Sequence, residues 1–191
     1  MNNQCDPYKN KILTIPNILS FFRVALIPFI VWSYIAEEEY VTTLVLLLIS
    51  GATDIIDGFI ARRFNMISDF GKAFDPIADK LTQLAMLVCL LFRFKYMIIP
   101  IVLLIIKEVF SGIASLVSIK KTNEVKGAAW HGKLTTVSIY TMILVHLVWF
   151  NIPDTISLSI IGFCVCVMLM SFIMYINRHF KSIKNNSTKK Q

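Results

Sequence analysis

Residues 54–79 begin with Asp54-Ile-Ile-Asp57-Gly58-Phe-Ile-Ala61-Arg62 and, after eight further residues, end with Gly71-Lys-Ala-Phe-Asp75-Pro-Ile-Ala-Asp79. This stretch places four carboxylates beside long apolar runs. Asp54 and Asp57 are three residues apart, and Asp75 and Asp79 are four apart, so each pair shares one face of a helix. The polar residues between the two halves, Asn65, Ser68 and Asp69, favour a short turn. The spacing therefore predicts that the two pairs meet across a helical hairpin.

Neighbouring carboxylates repel one another strongly where the dielectric constant is low, so a cation must offset them. Oxygen ligands suit Mg²⁺ or Mn²⁺, and two such ions can hold a diphosphate. Gly58 and Ala61 leave room for a ligand beside the helix, and Arg62 offers donors to phosphate oxygens. The alternative is a structural cluster of ion pairs without chemistry. The nearby cations for such a cluster are Arg62, Arg63, Lys72 and Lys80.

The pattern Asp-x2-Asp-Gly-x2-Ala-Arg-x8-Gly-x3-Asp-x3-Asp resembles the motif of the CDP-alcohol phosphatidyltransferase family. All fixed positions match, at Asp54, Asp57, Gly58, Ala61, Arg62, Gly71, Asp75 and Asp79. The resemblance implies a membrane enzyme whose four aspartates bind two Mg²⁺ or Mn²⁺ ions. It also implies that Gly58, Ala61, Arg62 and Gly71 contact the donor CDP-diacylglycerol. Asp79 would be the general base, CMP would leave, and the protein would form a homodimer.

The composition favours a membrane protein. The chain has 191 residues, of which 56% are hydrophobic, and its mean hydropathy is +0.67. Soluble domains average about 45–50% apolar residues. The length accommodates six spans of about 20 residues each and leaves no room for a soluble domain, so the spans themselves must form the active site. The fold class expected is all-α, with six transmembrane helices and a short N-terminal interfacial helix.

The apolar runs place the six spans at about 24–35, 40–63, 71–92, 97–119, 128–150 and 156–177. The expected organisation is a polar N-terminal segment at 1–13, the membrane domain at 14–178 and a basic tail at 179–191. Before the first span, apolar Ile18, Leu19, Phe21 and Phe22 mix with Ser20 and Arg23. This mixture is typical of a helix lying in the membrane interface.

The net charge of +7 has two interpretations, nucleic-acid binding and membrane topology. The basic residues lie at the ends of the apolar runs, which favours topology. With six spans, one side receives both termini, Arg62, Arg63 and the lysines at 120–133. The other side receives Arg93 and Lys95 together with the three glutamates at 37–39 and Asp154. The charge bias predicts that both termini and the aspartates face the cytoplasm.

The opening Thr14-Ile-Pro16-Asn17, followed by an arginine, resembles the bacterial phosphatidylglycerophosphate synthase branch of the family. The resemblance to that branch implies that Asn17 reaches the nucleotide of CDP-diacylglycerol. The alternative is that these residues form only a helix cap or a turn.

The acceptor alcohol is less strongly indicated than the donor. Lys107 and Glu108 lie deep in the fourth apolar run, where charges are costly and often functional, although a structural ion pair is an equal alternative. Cations available to an acceptor phosphate are Lys133, Lys107, Lys120 and Lys121. Thr135 occupies a position where the resembling branch has a second lysine. Glycerol 3-phosphate is the first choice of acceptor, phosphatidylglycerol the second, and serine or inositol phosphate have less support.

Two hypotheses remain beside this enzyme. The carboxylates could carry cations in a membrane transporter, although the acidic motif occurs only once and no internal repeat is evident. The second hypothesis is a catalytically inactive family member that only binds its ligand. His146, in an apolar run, is interpreted as a packing residue whose ring nitrogens are satisfied.

Overall fold

The computed structural model describes residues 14–64, 66, 68–122, 130–149 and 151–188. All regular structure in these residues is helical, as predicted. The α-helices are α1 (Ile15–Ile35), α2 (Tyr40–Arg63), α3 (Asp69–Leu91), α4 (Ile98–Thr122), α5 (Trp130–Val148) and α6 (Asp154–Thr188). A short 3₁₀ turn, Lys95–Met97, precedes α4. The chain divides into two compact units, with the boundary between Cys89 and Leu90.

Four stretches in the described residues are long and apolar enough to cross a membrane. They are Ile15–Ile35, Tyr40–Ala61, Lys95–Ile113 and Asp154–Asn177. The apolar part of α5, Gly132–Val148, is shorter. Helix α3 is not among them, because the charged residues of the motif lie in its first half and lower its hydropathy. An integral membrane protein is therefore indicated, whereas the predicted number of six spans stays a prediction.

Helix α1 corrects the predicted N-terminal region. The sequence predicts a short surface helix before a first span that is itself short unless the surface helix continues into it, and one continuous helix covers both. Thr14 is its N-cap and accepts a hydrogen bond from the backbone N–H of Asn17 (3.4 Å), while Pro16 lies in the first turn, where no N–H is needed. The helix also continues through Pro28. The predicted segment 1–13 lies outside the described residues, and α6 extends past the boundary predicted at residue 178.

The first unit contains α1, α2 and most of α3. Helix α1 packs along α2, and its buried side chains include Leu26, Ile30 and Tyr34. At the beginning of α3, Phe70 and Phe74 pack against Phe21 of α1, with ring centroids 5.9 and 4.7 Å from that of Phe21. These aromatic contacts bring the N-terminal ends of α1 and α3 together.

In the second unit, α4 and α5 each pack against α6. His146 of α5 is 2% exposed, and its Nδ1 and Nε2 atoms lie 2.8 Å from the carbonyl oxygen of Met142 and 3.0 Å from Ser157 Oγ of α6. The ring also meets the edge of Phe94. The interpretation of His146 as a satisfied packing residue is confirmed.

Candidate active site

One stripe of polar side chains runs along α1. Asn17, Ser20 and Arg23 follow one another at intervals of three residues, so they lie on one side of the helix. Their exposed fractions are 2%, 0% and 2%. A stripe this deeply buried must have polar partners, since an unpaired polar group in an apolar environment is costly. The partners belong to α2 and α3.

Arg23 pairs with both aspartates in the first half of the motif. Its Nη1 atom lies 2.7 Å from Asp54 Oδ1, and its Nη2 atom donates to Asp57 Oδ2 at 2.5 Å. The side chain of Asp57 is 4% exposed and that of Asp54 is 50% exposed. The single positive charge of the guanidinium is therefore shared between one buried carboxylate and one carboxylate that reaches the surface.

Ser20 joins the two halves of the motif. Its hydroxyl lies 2.6 Å from Asp75 Oδ1 of α3 and 3.3 Å from Asp57 Oδ2 of α2. Both oxygens are within hydrogen-bond distance of one hydroxyl, so they are at most two hydrogen-bond lengths apart. The predicted meeting of the two carboxylate pairs is thus found between α2 and α3, beside α1.

Asp79 follows Asp75 by one turn of α3 and shares its face. Its Oδ2 atom accepts a hydrogen bond from Gln83 Nε2 (3.1 Å) and lies 4.0 Å from Lys80 Nζ. Arg23 links Asp54 to Asp57, and Ser20 links Asp57 to Asp75. All four aspartates therefore belong to one electrostatic cluster, which we call the aspartate cluster (Asp54, Asp57, Asp75 and Asp79).

Asn17 and Gly71 form a close contact next to this cluster. Ser68 is placed as the N-cap of α3: its Oγ accepts from the Gly71 N–H (3.0 Å) and from Asn17 Nδ2 (2.9 Å). A Cβ atom added to Gly71 would overlap Asn17 Oδ1 and lie 3.1 Å from Ser68 Oγ. The absence of a side chain at Gly71 thus permits the close approach of α1 and α3. The side-chain amide of Asn17 stabilises this approach through its hydrogen bonds with Ser68.

The other predicted donor-binding residues lie in the last turns of α2. Gly58 directly follows Asp57, and both Gly58 and Ala61 are partly exposed. The backbone of Arg62 is in α2, but its side chain lies outside the described part of the structure. That Gly58 and Ala61 leave room for a ligand beside Asp57 stays a prediction.

The predicted acceptor-binding lysines all lie in the second unit. Lys107 of α4 is 8% exposed, and its Nζ lies 3.8 Å from Glu108 Oε1. Lys133, in the first turns of α5, is exposed. The side chains of Lys120 and Lys121 lie outside the described part, although α4 includes their backbone. A partly buried ion pair at Lys107 is consistent with both alternatives that the sequence leaves open.

The aspartate cluster fits a divalent cation by its chemistry, because it offers only carboxylate oxygens. In the positions they occupy, however, no three acidic, histidine or cysteine side chains of the described residues are arranged to hold one ion. Arg23 holds one oxygen of Asp54 and one of Asp57. Ligation of one ion by three of these side chains therefore requires them to move.

Sequence reasoning missed Ser20 and Arg23. It placed both at the membrane interface and counted only cations close to the motif in sequence. A signal was present, since the interval of three residues from Asn17 to Arg23 gives a polar stripe on an otherwise apolar helix. A buried polar stripe between membrane helices indicates a polar partner on a neighbouring helix.

Comparison with known proteins identifies the family. The family model described as CDP-alcohol phosphatidyltransferase matches residues 13–176. A relative from Aquifex aeolicus, named CDP-diacylglycerol–glycerol-3-phosphate 3-phosphatidyltransferase, is 30% identical over 178 residues, which are 90% of this chain and 98% of the relative. A relative of the same name from Haemophilus influenzae is 28% identical and covers 90% of this chain and 96% of its own.

A third relative, from Streptomyces coelicolor, is named cardiolipin synthase (CMP-forming). It is 42% identical over 89 residues, but these are only 44% of this chain and 41% of the relative. The family model and the Aquifex relative each cover most of the chain, and the family expected from the aspartate motif is confirmed. The protein belongs to the CDP-alcohol phosphatidyltransferase family.

Proposed function

We propose that the protein transfers a phosphatidyl group from CDP-diacylglycerol to glycerol 3-phosphate, forming phosphatidylglycerophosphate and releasing CMP. The observation that carries the proposal is the meeting of Asp57 and Asp75 at one hydroxyl group, which gathers the carboxylates of two helices. Two relatives that match nearly their whole length carry the name of this activity.

Asp54, Asp57, Asp75 and Asp79 would hold two Mg²⁺ or Mn²⁺ ions. When bound, such ions neutralise charge on a diphosphate and on the leaving phosphate. Gly58 and Ala61 leave the surface of α2 open to the cytidine end of the donor, and Asn17 and Gly71 line the neighbouring junction of α1 and α3. Arg62, at the end of α2, would contact a phosphate.

The chemistry is a displacement at phosphorus. The hydroxyl oxygen of the acceptor forms a bond to the phosphorus that carries diacylglycerol, and the bond from that phosphorus to the bridging oxygen breaks. The electron pair leaves with CMP, and the acceptor's proton passes to a carboxylate oxygen of Asp79. Asp79 is suited to this role because it lies in the cluster, where its Oδ2 atom accepts a hydrogen bond from Gln83.

The phosphate of the acceptor requires cations, for which we propose Lys107, Lys120, Lys121 and Lys133. Phosphatidylglycerol, which would give cardiolipin, is the second candidate acceptor. It is favoured by the similarity to the Streptomyces coelicolor relative, which extends over less than half of this chain.

We further propose that α3 and α5 cross the bilayer with the four apolar stretches, giving six spans. Both termini and the aspartate cluster would then face the cytoplasm, and the protein would act as a homodimer. The support is the clustering of lysine and arginine on one side of such a six-span arrangement.

An acceptor panel tests the proposal. Purified protein in detergent with Mg²⁺ receives labelled CDP-diacylglycerol together with glycerol 3-phosphate, phosphatidylglycerol, serine or inositol phosphate. We expect CMP release and a phosphatidylglycerophosphate product only with glycerol 3-phosphate. A cardiolipin product would establish the second candidate, and no CMP with any acceptor would contradict the proposed reaction class.

Asp79→Asn tests the role of the base within the same assay. We expect turnover to fall by about 10²–10⁴-fold, the usual contribution of a general base. Asp154→Asn is the matched control, because Asp154 is exposed at the beginning of α6 and the substitution changes charge in the same way. Turnover of Asp79→Asn equal to that of Asp154→Asn would remove Asp79 from this role.

A further inference from the structure

The aspartate cluster already contains a cation supplied by the chain. Arg23 is 2% exposed, and its guanidinium pairs with both Asp54 and Asp57. A buried carboxylate such as Asp57 is strongly destabilising without a positive partner, all the more in a membrane helix. Arg23 therefore permits α1 and α2 to pack with these acids ionised.

The same ion pairs determine where the carboxylates point. One carboxylate oxygen of Asp54 and one of Asp57 pair with Arg23. The Asp57 oxygen that pairs with Arg23, Oδ2, also lies within hydrogen-bond distance of the Ser20 hydroxyl. In this arrangement, no three acidic, histidine or cysteine side chains of the described residues are placed to hold one ion. A divalent ion that takes the carboxylate oxygens now paired with Arg23 therefore displaces the guanidinium from them.

Little else opposes such an exchange. Among the described residues, the guanidinium of Arg23 pairs through Nη1 with Asp54 and through Nη2 with Asp57, and its Nε atom has no hydrogen-bond partner. Moving the guanidinium away from the two acids thus breaks no further hydrogen bond of Arg23. The side chain of Asp54 is half exposed, so an ion can reach it from the protein surface, whereas Arg23 contacts it from the buried side.

We propose that Arg23 is the internal counter-cation of the aspartate cluster and that divalent ions bind Asp54 and Asp57 in exchange for its ion pairs. The inference rests on the proposed function in one respect, that the cluster binds such ions. Its consequence is that Arg23 weakens ion binding: part of the binding free energy is used to break its pairs, and the guanidinium also repels the ion.

The test is the Mn²⁺ affinity of the full-length protein in detergent, measured by calorimetry and by the loss of the free Mn²⁺ electron-paramagnetic-resonance signal. We expect Arg23→Met to bind Mn²⁺ at least about tenfold more tightly than the wild type, since the buried pair no longer has to be broken. Arg23→Lys, which keeps the charge but loses the two-pronged geometry, should be intermediate. Arg93→Met, at an exposed arginine of the second unit, should bind like the wild type.

Weaker or unchanged Mn²⁺ binding by Arg23→Met would overturn the inference, because it would show that Arg23 positions the ligands or does not affect them. If Arg23→Met folds only when Mn²⁺ is present, that dependence supports the inference, and the affinity is then read from Arg23→Lys. If neither variant folds even with Mn²⁺, exchange is refuted, because the ion cannot replace the arginine.

A failure of the proposed function gives a different result. In that case the wild type does not bind Mn²⁺, and Asp57→Ala is indistinguishable from it. If the wild type binds Mn²⁺ and Asp57→Ala loses binding, the cluster is an ion site, and only the Arg23 variants decide whether the exchange occurs.

Discussion

Substituting Gly71 by alanine tests how closely α1 and α3 must approach beside the aspartate cluster. The added Cβ would overlap Asn17 Oδ1 and would lie 3.1 Å from Ser68 Oγ and 3.4 Å from Asn17 Cγ. Asn17 cannot easily retreat, because it is 2% exposed and its amide contacts Ser68 at 2.9 and 3.2 Å. We therefore expect the two helix ends to separate.

The expected loss of stability follows from these contacts. Overpacking of a buried site costs about 1–3 kcal/mol, and a strained or broken hydrogen bond adds about 1 kcal/mol. The higher helix propensity of alanine returns about 1 kcal/mol. The net destabilisation is about 1–3 kcal/mol, or a fall of about 2–12 °C in melting temperature for a chain of this size.

The assay is thermal unfolding of the purified protein in detergent, followed by intrinsic fluorescence. Gly51→Ala is the matched control, since a Cβ at Gly51 of α2 meets nothing within 4 Å. It should raise stability slightly through helix propensity. In an Asn17→Ala background, the cost of Gly71→Ala should become smaller, because the overlapping atoms are gone. Equal melting temperatures for Gly71→Ala and Gly51→Ala would refute the close approach.

Two further predictions concern buried polar groups. Without divalent ions, Arg23→Met should lower the unfolding free energy by about 3 kcal/mol, at the low end for a broken buried pair because Asp54 is half exposed. Adding Asp57→Asn should recover part of this loss, and a double variant less stable than Arg23→Met would contradict the pairing. His146→Leu should cost about 1–3 kcal/mol, because the Ser157 hydroxyl loses its partner. Thermal unfolding measures both effects, and an unchanged melting temperature for His146→Leu would show that the hydrogen bonds of the histidine contribute nothing.

Spacing along one helix was sufficient to predict each half of the motif. Intervals of three and four residues place Asp54 with Asp57, and Asp75 with Asp79, on single faces, because the helical repeat is a property of the local backbone. The positions of most helices also follow from the apolar runs, since a long run must be covered by lipid or protein. The family resemblance then added the chemistry that carboxylates at this spacing perform.

Tertiary structure alone decided what surrounds these carboxylates. Ser20 and Arg23 are 37 and 34 residues from Asp57 in the chain, and only the packing of α1 against α2 and α3 brings them together. Local periodicity shows that a polar stripe exists but cannot show which helix it faces. The start of α3 at Asp69 similarly depends on Ser68, whose hydroxyl bonds both its own helix and Asn17 of α1. The sequence by itself determined a helical membrane protein with an acidic motif, and the packing of three helices decided that an arginine lies within it, because such a contact depends on long-range docking and not on the local repeat.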